Sequence, residues 1–535
     1  MRINNLFEPT EDITLESYLS KCGIDTNEYL KFRTNERYEH YPNIKKAVEA
    51  IEKTAGDFVY ILTDSDIDGS LSASMFTRFY REKYGYNLIP LFHMTPKSHG
   101  LTDKPLMDYL LTLKPSVLII PDAGSNDIKQ MKQLSDLGWL ILCFDHHEIE
   151  AENPYCILVS NQFKVSKVEN KYGSGTLVTF KVMQAIDKEL AKKYVPYVAI
   201  SLISDSMNLT SNENGTFLRW GLDKKYLPQY LQDGIEKLNK GDYTPHGYAF
   251  GFITCGNSLI RLGSIEEQTR FFNYLCGWGN DDIINVASKY HDKQSADSRK
   301  MASEINIDDY KDDNIILVNI KQKTPLTGLV ANKVMSSANK TVMLVNESNN
   351  GKFMGSCRSP IDAKSLCDNE LFNFAKGHAH AFGIEFNAEN FNKIIEYFNS
   401  LDKEQLVPQI DVITTLNGRS IPKSYFDIFK DYQYYGVGCP EPQFYIDNIE
   451  LKQNDIIKYP TVMKFNFGGI DYIKFFATQN MYDELSSKCR NHTIGIVGKL
   501  GYNTYNGITR PQVVIDSIDY KPKQERGFED IFWIQ

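Results

Sequence analysis

Three short apolar runs in the first third of the chain each lead straight into an aspartate. Phe58–Leu62 precedes Asp64, Val117–Ile120 precedes Asp122, and Leu140–Phe144 precedes Asp145. Stretches of helical period lie between them, at Ser72–Tyr84, Lys104–Leu113 and Asp127–Leu137, with a further strand-like run at Leu88–Phe92. Short apolar runs alternating with helices are the pattern of a parallel α/β sheet, whose sites lie at the carboxyl ends of the strands. A chain that places an acid after one strand after another gathers carboxylates around a single crevice.

The first of these places is the densest. Tyr60–Gly69 reads Y-I-L-T-D-S-D-I-D-G, with Asp64, Asp66 and Asp68 at alternate positions. Alternate side chains share a face while the chain is extended, and a turn fans them around a point. Carboxylates so close repel one another unless a cation sits between them. A solvated acidic turn is the other reading of one such stretch, and a lone Asp after a strand is often an N-cap. The series argues otherwise. Asp122 stands in P-D-A-G, Asp145 opens D-H-H-E with His146 and His147, and the helical V-P-Y-V-A-I-S-L-I-S leads to Asp205. Carboxylates bridge hard divalent ions and imidazole suits Mn²⁺, so the expectation is a dinuclear metal centre.

The chain is long enough for about three or four domains. Its charge fraction of 24% and hydrophobic fraction of 42% are those of a soluble globular protein. Apolar runs long enough to span a bilayer are missing, and the first residues lack the apolar core of a signal peptide. Nine cysteines without a C-x-x-C pair suggest reduced thiols, so a cytoplasmic protein is expected. The net charge of −9 argues against general nucleic-acid binding, yet residues 451–535 carry 11 Lys and Arg against 9 Asp and Glu. Metal ions bound by the acidic cluster would invert its local charge.

Six segments follow from composition and pattern: an N-terminal segment at 1–40, an α/β catalytic domain at 41–225, a helical connector at 226–310, a second α/β domain at 311–400, a linker at 401–433, and a small β-barrel at 434–535. The second α/β domain shows strand Ile315–Ile320, helix Leu326–Ala338, strand Thr341–Val345 and strand Phe353–Arg358. The last segment shows short β runs with Gly and Asn turns.

Taken together, D-x-D-x-D-G, P-D-A-G, D-H-H-E and a late S-D, in that order, resemble the motifs of the DHH phosphoesterase superfamily. Within it the chain is most similar, in divergent form, to the RecJ family of single-strand-specific exonucleases. Asn257 and Arg261 match an N-x-x-x-R segment; Gly355–Ser359 match G-S-x-R-S; Lys376–Gly383 match G-G-H-x-x-A-x-G; Gly436–Phe444 match G-x-G-N-P-E-P-x-F. The resemblance covers about residues 40–535 and implies two α/β lobes, the DHH domain and a DHH-associated domain, joined by helices and followed by an oligonucleotide-binding (OB) fold. It implies two divalent cations, Mn²⁺ or Mg²⁺, with Asp66, Asp68, Asp122, His146 and Asp205 as ligands and Asp122 as the bridge. Asp64 would complete the first ion's shell, and Asp145 and His147 would support the site or touch the scissile phosphate. Asn257, Arg261, Ser356, Arg358 and His378 would hold substrate. Arg358 and His378 also have bland readings, as an ion-pair partner and a turn residue.

The implied reaction is 5′ to 3′ removal of mononucleotides from single-stranded DNA, in a repair and recombination setting where a helicase or a single-strand-binding protein is the kind of partner to expect. Other members of the superfamily act on short oligoribonucleotides or cyclic dinucleotides, or serve as replication scaffolds that have lost ligands. The C-terminal segment speaks against the former and the complete ligand set against the latter. Among the barrel aromatics, Phe465, Phe467, Tyr472, Tyr502 and Tyr505, most are expected in the core and a few to stack on bases. The chain departs from the family at Leu62, where some relatives carry a histidine, at Gly215 in place of an arginine, at Lys376 in place of a glycine, and at Cys439 in place of an asparagine.

Overall fold

The alternation seen in the sequence closes into a five-stranded, all-parallel sheet. Its strands are β1 (Val59–Thr63), β2 (Ile89–Phe92), β3 (Val117–Pro121), β4 (Leu140–Asp145) and β5 (Ile157–Ser160), in the order β2-β1-β3-β4-β5. The computed structural model describes residues 1–8, 11–29, 36–280, 282–321, 324, 326–348 and 351–523. Both faces of the sheet are covered. Ile61, Ile119 and Phe144 pack with Phe76, Leu177 and Val198 on one side, and Leu62, Ile120 and Cys143 pack with Leu106, Met131 and Leu134 on the other. Central parallel strands buried on both faces read as unbroken apolar runs, which is why these runs show no alternation.

Helix α1 (Ile67–Tyr84) begins earlier than its sequence pattern suggests. Asp66 caps it by accepting from the Gly69 amide at 3.1 Å, so Asp68 lies in the first turn. Helices α2 (Gly175–Ile186), α3 (Val195–Ser204) and α4 (Asn212–Gly221) follow the sheet, and a broken helical run then passes through Pro245–Tyr248, a π-turn at Ala249–Ile253, and α5 (Thr254–Leu262).

The chain divides into two compact units. The first holds this sheet and comprises Thr14–His291 with Asp431–Glu441. The second comprises Met1–Ile13, Asp292–Lys430 and Pro442–Gln535. In the second unit β6 (Ile315–Asn319), β7 (Thr341–Glu347), β8 (Lys352–Arg358), β9 (Phe374–His378) and β10 (Ala381–Asn387) form a mixed sheet of order β9-β10-β8-β7-β6. Only the β6–β7 pair is parallel. A seven-stranded sheet follows, of order β11-β12-β16-β17-β15-β14-β13, with β11 (Thr415–Asn417), β12 (Phe444–Ile449), β13 (Ile457–Lys458), β14 (Val462–Phe467), β15 (Ile470–Phe475), β16 (His492–Tyr505) and β17 (Ile508–Pro522). Its first strand falls within the stretch 401–433. Phe465 and Tyr472 stack in its core with centroids 4.9 Å apart, whereas Tyr505 is 74% exposed. Among the described residues no helix is long and apolar enough to cross a membrane.

Candidate metal centre

Each strand of the first sheet that was expected to end on an acid delivers it to the same place. Asp64 follows β1, Asp122 follows β3, Asp145 closes β4, and Asp205 caps the carboxyl end of α3. Asp122 adopts a left-handed backbone, φ 69°, at the strand end. A non-glycine residue held there signals a conformation imposed by its surroundings. Those surroundings include Gly175 at the start of α2, where a Cβ would lie 2.1 Å from Asp122 Oδ1. Only glycine lets the helix terminus come this close. The same terminus holds Asp68, which accepts from the amides of Gly175 and Thr176, each at 3.1 Å, and from the Thr176 hydroxyl.

Among the described residues three sets of ligand atoms each lie within 4.8 Å of one another: Asp64, Asp66 and Asp122; Asp68, Asp122 and His146; and Asp145, His146 and His147, the first two sharing Asp122. His146 Nε2 lies 3.4 Å from Asp122 Oδ1 and 3.3 Å from Asp205 Oδ2. Neither of these two buried carboxylate oxygens has a hydrogen-bond partner. Burial and then the charges of Asp68 and Asp66 raise Asp122 well above the usual carboxylate range and push Asp205 up to about 8. Burial pushes Asp68 up to about 6 against its Thr176 hydrogen bond, with Asp66 adding to the rise. Burial, and next the neighbouring His147, lowers His146 to about 4, so its imidazole is neutral and able to ligate at neutral pH. Crowded carboxylates, orphaned oxygens and a neutral imidazole fit hard divalent cations of the Mn²⁺ or Mg²⁺ kind.

Asp145 is placed differently. Its oxygens accept from the amides of Ser125 (2.9 Å), His146 (2.7 Å) and His147 (3.2 Å), and from His147 Nδ1 (2.7 Å). Burial works against ionisation here, but the His147 hydrogen bond and charge hold Asp145 below the usual carboxylate range. The same bond raises His147 to about 9, leaving an exposed cation at the site. Asp145 thus orients the histidine pair, and one of its oxygens also lies within ligand distance of both imidazoles.

Two histidines escaped the sequence reading. His99 lies 2.7 Å from Asp64 Oδ2, the Gly100 amide donates to Asp64 Oδ1 at 3.0 Å, and His93 Nε2 lies 3.7 Å from that oxygen. Imidazole is therefore supplied to Asp64 from the loop after β2, in a chain that has Leu62 on β1. His93 follows the end of β2, so the strand-end rule reaches it once histidine is counted with aspartate.

The loop carrying Asp205 is fixed by a buried network. Lys181 on α2 pairs with Glu213 on α4. Asn170 donates to Glu213 at 2.9 Å and to Asn214 at 2.8 Å, and Asn214 donates to the carbonyls of Tyr172 (2.8 Å) and Asn208 (2.7 Å). A buried ion pair is retained most easily where every remaining polar group is satisfied, as here. Gly215 has its own explanation. A Cβ there would lie 1.9 Å from the ring of Tyr29. Arg219, one turn further along α4, stacks over that ring at 3.9 Å and donates to the Tyr29 carbonyl. The N-terminal segment fills the space, and a guanidinium is provided from the next turn.

Of the expected substrate contacts, Asn257 accepts a hydrogen bond from the Ile67 N–H at 3.0 Å, bracing the start of α1. Arg261 lines a cleft of about 270 Å³ with Asp64, Ser65, His93 and Lys97. The second unit places the others on one sheet face. Arg358 on β8 and His378 on β9 both pair with Ala381 on β10, and Ser356 and Lys376 both pair with Gly383. Residues opposite one another, and residues two apart on a strand, share a face. The result is a trough floored by Ala381 and Gly383, with Ser356 and Arg358 on one bank and Lys376 and His378 on the other. Ser356 Oγ lies 3.0 Å from Thr327 Oγ1, and the Arg358 guanidinium fills the space beside Gly328 at the start of the Thr327–Ala338 helix.

A parallel sheet with this gathering of carboxylates and imidazoles is the frame of a metal-dependent hydrolase, and the family model described as the DHH family, N-terminal domain, matches residues 58–202. A second model, the RecJ OB domain, matches residues 414–517. The chain is a divergent RecJ-like DHH protein. It is 27% identical to the putative SPbeta prophage-derived single-strand DNA-specific exonuclease YorK of Bacillus subtilis, over 90% of this chain and 91% of that one. It is 23% identical to the single-stranded-DNA-specific exonuclease RecJ of Bacillus subtilis, over 93% of this chain and 67% of that one. Among solved structures, RecJ from Thermus thermophilus in complex with Mn²⁺ superposes with a TM-score of 0.71 at 17% identity, over 98% of this chain and 80% of that one.

Proposed function

We propose that the protein is a divalent-metal-dependent exonuclease that removes mononucleotides from the 5′ end of single-stranded DNA. The observation that carries this reading is the pair of ligand sets meeting at Asp122, with its orphaned buried oxygen. Asp64, Asp66 and Asp122 would hold one ion; Asp68, Asp122, His146 and Asp205 the other. Paired divalent ions at such a site supply an activated water and steady the attacking and leaving oxygens of an in-line displacement. The chain's own residues do the rest. His147, kept cationic by Asp145, faces the phosphate, and Arg261 grips the strand's backbone; within its own unit the trough of Ser356, Arg358, Lys376 and His378 offers a strand charge and hydrogen bonds. The names of the two Bacillus subtilis relatives support the substrate class, and nine cysteines without a disulfide suit a cytoplasmic setting.

The test is product release from a single strand labelled at the 5′ or the 3′ end, with Mn²⁺, beside Asp122→Ala. Immediate mononucleotide from the 5′ label, lost in the variant and absent on blunt duplex, is the expected result. First release from the 3′ label keeps the metal chemistry and reverses the polarity. No cleavage by metal-loaded protein transfers the reading to short oligoribonucleotides, cyclic dinucleotides or a scaffold.

A further inference from the structure

A slot of about 280 Å³ opens within the first unit, at the turn that follows Asp205. Three stretches line it. The first is the end of α3 and the turn after it, through Leu202, Ser206 and Leu209; the second is the Pro245–Phe250 segment; the third is the Tyr435–Glu441 segment. Ser206 is the residue after Asp205, so the wall starts next to a carboxylate of the centre. We propose that this slot receives a nucleobase of the substrate strand, stacked on Phe250, while the adjoining phosphate lies at the metal centre. The assignment rests on the exonuclease reading above and specifies how that site holds its substrate.

Phe250 is 68% exposed, whereas Phe252 and Ile253 beside it are buried. The π-turn at Ala249–Ile253 produces this outward placement. Such turns interrupt the regular ladder and recur at functional sites. Here one is held in place: Asn239, 7% exposed, accepts from the Phe252 amide at 2.8 Å. A Cβ at Gly251 would meet that same Asn239 oxygen at 2.2 Å. The structure thus commits a buried asparagine and a glycine to holding one phenyl ring in water. His246, one turn earlier, lays its ring 4.5 Å from that of Phe250 at 38°. Across the slot Val437 is 48% exposed, and the Tyr435 hydroxyl is buried without a partner.

These features select the occupant. Among the described residues no lysine or arginine lines the slot and Glu441 does, so it is not built for a phosphate. Its volume is at the low end for small-ligand sites, enough for a planar ring system. Aromatic faces accept every base alike, which suits an enzyme that works along a strand without regard to sequence. Ser206, the residue after Asp205, ties the slot to the reacting strand.

The experiment compares three single strands: one of ordinary nucleotides, one with a tetrahydrofuran abasic residue at the first position, and one with it at the second. Wild type, Phe250→Ala and Phe250→Trp are each assayed with Mn²⁺. For wild type, KM rises roughly tenfold on one of the two abasic strands, with kcat little changed. Phe250→Ala shows that higher KM already on the ordinary strand and loses nothing further on the abasic one, while Phe250→Trp behaves as wild type. Phe250→Ala cleaving all three strands with wild-type KM values would overturn the slot and leave the exonuclease reading standing. If wild type cleaves no strand, the exonuclease reading falls and takes the slot with it.

Discussion

Cys439 stands where the family motif has asparagine, and its thiol hydrogen-bonds the thiol of Cys22, more than 400 positions earlier. That bond, with a second from Tyr18 and against the cost of burial, lowers Cys22 to about 7. Cys22 is partly exposed, whereas Cys439 is 1% exposed. The thiolate is the reactive form, so alkylation of Cys22 rises as pH climbs from about 6 to 8 and levels off above. Peptide mapping after brief iodoacetamide treatment across that range should give a midpoint near 7. In Cys439→Ala the midpoint moves up toward the free-thiol value of about 8.5. The substituted positions, Gly215 and Cys439, are visible in the sequence as departures. Their partners, Tyr29 and Cys22, are not, because a sequence pattern is local and both partners come from the distant N-terminal segment.

Strands and helices carried most of what was legible. Apolar runs ending on Asp64, Asp122 and Asp145 located the centre, because a parallel sheet leaves few other destinations for its strand ends. Helix α1 was read as starting at Ser72, since its first turn is acidic and only the Asp66 cap reveals it as helix. His93 and His99 were missed because β2 ends without an acid. The trough on β8, β9 and β10 was likewise illegible until the register placed Lys376 level with Ser356. That register yields a prediction. If Lys376 touches a backbone phosphate, Lys376→Gly should lower the slope of log affinity against log salt by about 0.7 for a single strand. Fluorescence anisotropy with a labelled oligonucleotide at several salt concentrations measures it. An unchanged slope would remove Lys376 from the strand's path.

For the molecule as a whole, the acidic centre is a liability until it is charged with cations. Ions that bind the folded state at about 100 times their Kd stabilise it by roughly 2.7 kcal/mol. Melting with Mn²⁺ and with a chelator should therefore differ by a clear upward shift in Tm, and Asp122→Ala should shrink that shift. Composition bounded the class of molecule but could not show that the chain passes from one unit to the other four times, at residues 13, 291, 430 and 441. Periodicity reports on neighbours, and this is a property of the entire path.

The return of Asp431–Glu441 to the first unit also sets a timetable for synthesis. Tyr435 leaves the ribosome some 185 residues after Phe250, roughly 10–40 s later at about 5–20 residues per second. Until then the slot beside Asp205 lacks its third wall, although every proposed metal ligand has already emerged. A nascent chain would thus carry the proposed hydrolytic centre well before the surface that seats a strand against it, and competence to degrade DNA would arrive only once Tyr435–Glu441 has emerged.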